Sequence, residues 1–123
     1  MKYLLLIADD PALVAAAHAV EGAGEATMQE YIAFTQRIAE SGELVAGDPL
    51  HDASTASTVR IRSGATSVTD GPFAETKEQI GGYYIVDVAS LDRALELAAQ
   101  IPSVRTGGIE VRPIVDMSAG YPG

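Results

Sequence analysis

Leu4, Leu5, Leu6 and Ile7 follow one another without a polar residue, and the segment from Tyr83 to Val88 is nearly as apolar and rich in β-branched and aromatic side chains. A strand sends successive side chains to opposite faces, so runs of this kind must bury both. This constrains the fold more than any other feature of the chain. One layer of helices covers one face of a sheet, and something else has to cover the other.

Strand and helix periods alternate around these two segments. The first strand stops at Asp9-Asp10-Pro11. Pro11 to Val20 is alanine-rich, with a short helix possible, but Gly22 and Gly24 interrupt it, so residues 9 to 25 read as a variable segment. Thr27 and Glu30 have capping-box spacing and open a predicted helix with Tyr31, Phe34 and Ile38 on one stripe and Gly42 at its end. Leu44 to Ala46 reads as a short strand broken by Gly47-Asp48-Pro49, and residues 51 to 57 as a polar loop. Val59 and Ile61 alternate with Arg60 and Arg62 before Ser63-Gly64, and Val68 lies on the return strand, which predicts a hairpin with one exposed face. Tyr83 to Val88 is the expected central strand. Ser90 caps a predicted second helix with Leu91, Leu95 and Ala98 on one side, widened by Ala94, Leu97 and Ile101 and stopped by Pro102. Ile109 and Val111 mark the last strand. Residues 1 to 117 form one domain in this reading, and 118 to 123 a mobile tail.

The resulting order is β-α-β-hairpin-β-α-β, an α+β, ferredoxin-like βαββαβ fold with an inserted β-hairpin. Right-handed crossovers put both helices on one face of the sheet. With no second sheet in the chain to cover the other face, a symmetric copy is the economical source, which predicts a homodimer closed into a dimeric α+β barrel.

Composition narrows the function classes. The chain has no cysteine, which excludes a disulfide framework, a thiolate metal site and a cysteine nucleophile. Its net charge of −9 repels phosphate backbones and anionic lipid, so neither nucleic acid nor membrane is an expected partner. The apolar run behind Lys2 is too short for a signal peptide or a membrane span, and a cytoplasmic address is expected. His18 and His51 are too few and too far apart to suggest a metal site by spacing. No metal and no cofactor are expected.

Candidate site residues cluster after the hairpin. Asp70-Gly71-Pro72-Phe73 satisfies the requirements of a turn, and it equally offers Asp70 as a pocket carboxylate with Phe73 as an apolar wall. Lys77 can bind a ligand carboxylate or pair with Asp70, while Glu75 and Glu78 read as solvated charges. Gly81-Gly82 suits a bulge at a strand start and lacks the spacing of a phosphate loop. Tyr83 and Tyr84 must point to opposite faces, one under the helices and the other toward the barrel interior or dimer interface. Tyr31 combines helix packing with a phenol, and His51 beside Asp52 is a loop histidine with a conceivable general-base role. No serine sits in a nucleophile elbow.

Residues 70 to 84, Asp-Gly-Pro-Phe-Ala-Glu-Thr-Lys-Glu-Gln-Ile-Gly-Gly-Tyr-Tyr, resemble the signature of the DGPF-type proteins of the YCII-related family. The Lys2-Tyr3 opening and the closing Glu110-Val111-Arg112-Pro113 are similar too. The resemblance implies a ferredoxin-like domain paired into a dimeric α+β barrel. Some members use a His–Asp pair, with the histidine on the first helix and the aspartate near the end of the second, and one branch includes a dehydrochlorinase of ring-cleavage products. In this chain Tyr31 stands near the histidine's place and Gln100-Ile101 near the aspartate's, so that dyad does not carry over. The resemblance also implies an association with extracytoplasmic-function sigma factors.

The residues therefore describe a dimeric barrel that binds a small molecule, with enzyme activity left open. If it is catalytic, the expected class is cofactor-free proton transfer, isomerisation or elimination on a small polar organic molecule, with Asp70 as base and Lys77 or a tyrosine as electrophilic helper. The alternative is a non-catalytic partner or sensor in a sigma-factor system.

Overall fold

The computed structural model describes residues 1–74 and 76–121; Glu75 in the loop after the hairpin, and Pro122 and Gly123 of the tail, lie outside the described residues. Strands β1 (Lys2–Asp9), β2 (Leu44–Pro49), β5 (Gln79–Asp87) and β6 (Gly107–Pro113) form an antiparallel sheet in the order β2-β5-β1-β6. Helices α1 (Pro11–His18) and α2 (Ala23–Glu40) link β1 to β2, and α3 (Leu91–Ala98) links β5 to β6. Strands β3 (Ser57–Arg62) and β4 (Ala65–Asp70) form a separate two-stranded hairpin inserted between β2 and β5. This is the ferredoxin-like arrangement that the alternation of periods predicts.

The core lies between the helices and one face of the sheet. Tyr3, Leu5 and Ile7 of β1 join Tyr84, Val86 and Val88 on this side, and α2 and α3 cover them with Phe34, Ile38, Ala94 and Leu97. Phe34 is fully buried, and its ring meets Tyr84 edge-on with the centroids 5.3 Å apart. Each large apolar side chain buried this way contributes about 2 kcal/mol. Leu4, Leu6, Tyr83 and Ile85 alternate with the core residues and face the other way, half-buried, with Leu4 opposite Ile85 and Leu6 opposite Tyr83.

Several elements differ from the sequence expectation for identifiable reasons. Residues 9 to 25 are ordered: Asp10 caps α1 by accepting from the Ala12 amide at 2.9 Å, with Pro11 at the first helical position. Gly22, at φ 79°, turns the chain into α2, so that helix begins at Ala23 and not at Thr27. Thr27 is inside the helix and donates to the Ala23 carbonyl at 3.0 Å, which replaces the capping box. Strand β2 runs on through Gly47-Asp48-Pro49 because it is the sheet's edge, where a proline's missing N–H leaves no ladder partner unmatched. In α3 the buried side chains are Ala94, Leu97 and Ala98, while Leu91 and Leu95 are about half exposed, so the core-facing stripe is rotated from the expected one. The hairpin exposes both faces except at Thr58, which is buried, and Arg60, which is half-buried. The bulge expected at Gly81-Gly82 is present, because the β1–β5 register shifts between Ile7 opposite Gly82 and Ala8 opposite Ile80.

Candidate functional site

Where β1 ends, its last residues meet the start of α1, the flank of α2 and the turn before β6. A cavity of about 610 Å³ opens there, walled largely by apolar atoms and lined among others by Ile7, Val14, Met28 and Ile32. The polar groups that reach it are few and come from different elements. His18 is the last residue of α1 and folds over the first turn of α2, so close to Gly24 that a Cβ there would lie 3.5 Å from the imidazole Nδ1. Asp9 ends β1, Tyr31 and Thr35 stand one turn apart on α2, Ser103 is in the 3-10 turn Pro102–Arg105, and Tyr84 rises from β5. Tyr83 and Asp48 also contribute to the lining.

These side chains are hydrogen-bonded in a defined direction. Ser103 Oγ donates to Asp9 Oδ2 at 2.9 Å, and Thr106 Oγ1 donates to Asp9 Oδ1 at 2.6 Å. A serine hydroxyl has one hydrogen, so the Tyr31 hydroxyl is the donor in its short contact with Ser103 Oγ. The result is a chain from the Tyr31 phenol through Ser103 to the Asp9 carboxylate. Thr35 Oγ1 likewise gives its hydrogen to the Tyr31 carbonyl at 2.9 Å, which makes the Tyr84 hydroxyl the donor to Thr35 Oγ1 at 2.7 Å. On the opposite face of β5 the Tyr83 hydroxyl donates to Asp48 Oδ2 at 2.8 Å. Burial pushes the Tyr31 pKa up, and the Asp9 charge pushes it the same way against the Ser103 hydrogen bond, so this phenol stays neutral near pH 7. Tyr83 is also raised, because ionising it would lose the bond to Asp48 and set two negative charges together.

The structure divides the residues singled out from sequence. Tyr31 and Tyr84 meet at this cavity, while Tyr83 borders it with its hydroxyl turned to the other face of β5. His51 and Phe73 line a second one, of about 1010 Å³, between the loop after β2 and the segment after β4. There Phe73 is 84% exposed with the Arg60 guanidinium 5.8 Å from its ring centroid, and Asp52 caps the short 3-10 turn Ala53–Thr55. Asp70 is the exposed last residue of β4 and lines neither cavity. Lys77 does not pair with Asp70; its ammonium lies 3.5 Å from Oδ2 of the buried Asp10. Sequence reasoning missed His18, Asp9 and Ser103. The signal for the first two was Asp10-Pro11, a cap followed by a first-turn proline, which places a helix over the following residues and its last turn beside the strand it left. Ser103 has no such signal, because only the tertiary fold brings it to Asp9 from 94 residues away.

Among the described residues no group of histidine, cysteine, aspartate and glutamate could hold a metal ion, and no helix is long and apolar enough to cross a membrane.

Comparison with known proteins places this geometry in a family. The model of the YCII-related domain matches residues 1–118. An uncharacterized protein of Rhizobium meliloti (strain 1021) is 39% identical over 116 residues, covering 93% of this chain and 92% of that protein. Among solved structures, 5-chloro-2-hydroxyhydroquinone dehydrochlorinase from Burkholderia phenoliruptrix AC1100, in complex with 2,5-dihydroxybenzoquinone, superposes with a TM-score of 0.54. The match covers 98% of this chain and 100% of that one, at 13% identity, a level at which the likeness is one of fold.

Proposed function

The chain belongs to the YCII-related family, and from that premise and the cavity we propose that it is a small-molecule enzyme performing cofactor-free proton transfer, of the kind that drives isomerisation or elimination. The fold and family are compatible with such an activity, and the structural neighbour is a dehydrochlorinase that holds a small ring compound. The observation that carries the reading is the relay from Tyr31 through Ser103 to Asp9 at the edge of an apolar cavity.

The chemistry follows from the direction of the hydrogens. A ligand hydroxyl that donates to the Tyr31 oxygen gives up its proton as the Tyr31 proton moves to Ser103 and the Ser103 proton moves to Asp9. One O–H bond breaks on the ligand, one forms on the carboxylate, and the intervening hydroxyls are restored. His18 supplies the second proton-transfer group, since one imidazole nitrogen can accept a hydrogen, here the α-hydrogen on the ligand carbon, while the other can donate one. The role of base thus belongs to the relay and not to Asp70. Apolar walls exclude water and strengthen each of these interactions.

The apolar outer face of the sheet, where Leu4, Leu6 and Ile85 are only half-buried, supports the homodimer expected from sequence, with these residues at the centre of its interface. The similarity of residues 70–84 to the DGPF-type signature favours that branch of the family. Neither the fold nor the relatives add support to a role beside a sigma factor.

The test uses 2-hydroxycyclohexanone, whose α-hydrogen exchanges with solvent deuterium only after proton abstraction. NMR should show exchange accelerated by the wild-type protein, with at least a tenfold loss in Tyr31→Phe and in Asp9→Asn. Rates equal to wild type in both folded variants would sink the relay as the chemical centre.

A further inference from the structure

The same hydrogen bonds that build the relay also decide which molecules the cavity can hold, and this inference rests on the reading of that cavity as a ligand site. Both phenols that reach into the cavity have already committed their only hydrogen to the protein: Tyr31 to Ser103 and Tyr84 to Thr35. What these oxygens still offer is lone pairs. Asp9 is an acceptor by nature, and no lysine or arginine is among the described lining residues. Only His18 and Gln36 can turn either way. The first turn of α2 brings the positive end of a helix dipole to the rim at Gly24, but Glu25 in the same turn offsets it. Around the site the chain carries a net charge of −9.

From this donor and acceptor count we infer that the cavity selects ligands bearing hydrogen-bond donors, neutral hydroxyl or cationic ammonium groups on an apolar frame, and rejects carboxylates. A carboxylate placed there would face phenol oxygens and the Asp9 carboxylate with few donors to replace its water, and an anion desolvated without partners is strongly disfavoured. A hydroxyl or ammonium group in the same position meets two phenol oxygens ready to accept. The selectivity is therefore set by two residues that need not touch the ligand. Thr35 and Ser103 fix it by taking the phenol hydrogens away from the cavity.

The experiment compares three molecules that share one ring: 4-methylphenol, 4-methylbenzylammonium and 4-methylbenzoate, each titrated at pH 7 and followed by ligand-observed NMR with the protein at constant ionic strength. The phenol and the ammonium should bind at least tenfold more tightly than the benzoate. Thr35→Val, which keeps the side-chain shape, frees the Tyr84 hydrogen, and Ser103→Ala frees that of Tyr31. In each variant the benzoate should gain affinity and the ratio should narrow several-fold, a change that simple loosening of the fold would not produce. Benzoate binding as tight as phenol to the wild type, or a ratio unchanged in both variants, overturns the inference while leaving the cavity a ligand site. Binding of none of the three would remove the ligand site itself, and the proposed function with it.

Discussion

Gly107 and Gly108 are adjacent at the start of β6 and should respond to the same substitution in opposite ways. A Cβ at Gly107 would lie 2.0 Å from the Ala8 carbonyl oxygen and 2.8 Å from the Asp9 Cα, whereas at Gly108 nothing stands within 4 Å. The obstacle at Gly107 is backbone, at the end of the β1–β6 ladder, where Asp9 pairs with Gly107 and Ala8 with Gly108. No side chain can swing aside, so Gly107→Ala must push the start of β6 off β1. The bonds nearest the displacement are Asp10 N–H to the Thr106 carbonyl at 2.8 Å and Thr106 Oγ1 to Asp9 at 2.6 Å. Losing a neutral hydrogen bond costs about 1 kcal/mol and one to a charged group about 2, which together make about 3 kcal/mol. With an unfolding entropy of about 2 cal/mol/K per residue, that is a fall of roughly 10 °C in melting temperature for a domain of this size. Gly108→Ala should stay within about 0.5 kcal/mol of wild type. Urea denaturation with a common slope measures both. Because Asp9 anchors the relay, Gly107→Ala should also lose α-hydrogen exchange. If the two variants unfold within about 0.5 kcal/mol of each other, the close approach of β6 to β1 is wrong and the relay geometry falls with it.

Three further outcomes follow from other parts of the molecule. Arg93 holds Glu43 through two bonds of 2.9 Å and, with Ser41, keeps its carboxyl below the usual carboxylate range. A depressed folded pKa adds stability above the unfolded value and loses it as pH falls through the folded one, so Glu43→Gln should be less stable than wild type near pH 7, with the gap closing below about pH 4.5; a gap independent of pH would contradict the pairing. Sedimentation should give about twice the 12.8 kDa chain mass, and Ile85→Lys on the outer sheet face should give monomer; a monomeric wild type removes the barrel. Asp70→Asn should leave ligand binding unchanged, since Asp70 lines neither cavity, and a tenfold loss in titration would return the site to the hairpin.

The sheet and most of the core were legible because they rest on local signals. Leu4 to Ile7, Tyr83 to Val88 and the Tyr31, Phe34, Ile38 stripe each announce an element and the face it buries, and the opposed directions of Tyr83 and Tyr84 follow from strand geometry alone. The segment 9–25 read as variable, with a short helix possible, because two glycines interrupt its pattern, although Gly22 only joins two helices at a left-handed turn. The site was half legible. Its phenols could be named, but their grouping with Asp9 and Ser103 depends on how β1, α2 and the turn before β6 converge. Asp70 and Lys77 drew attention as charges in a distinctive motif, yet the fold points one outward and gives the other to Asp10.

The hairpin of β3 and β4 shares no ladder with the main sheet. Its base is tied by the Gly71 amide to the Ala56 carbonyl and by the Thr58 hydroxyl to the Gly71 carbonyl, both at 2.7 Å, and β4 is exposed along its whole length. An element held only at its root is modular. Its length and tip can change without moving the register of any strand beneath the cavity, because the loop between β2 and β5 absorbs the difference. Related chains can thus vary this arm while keeping the same cavity floor, and an affinity tag or a fluorescent reporter can be grafted at Ser63-Gly64 with the cavity left as it is.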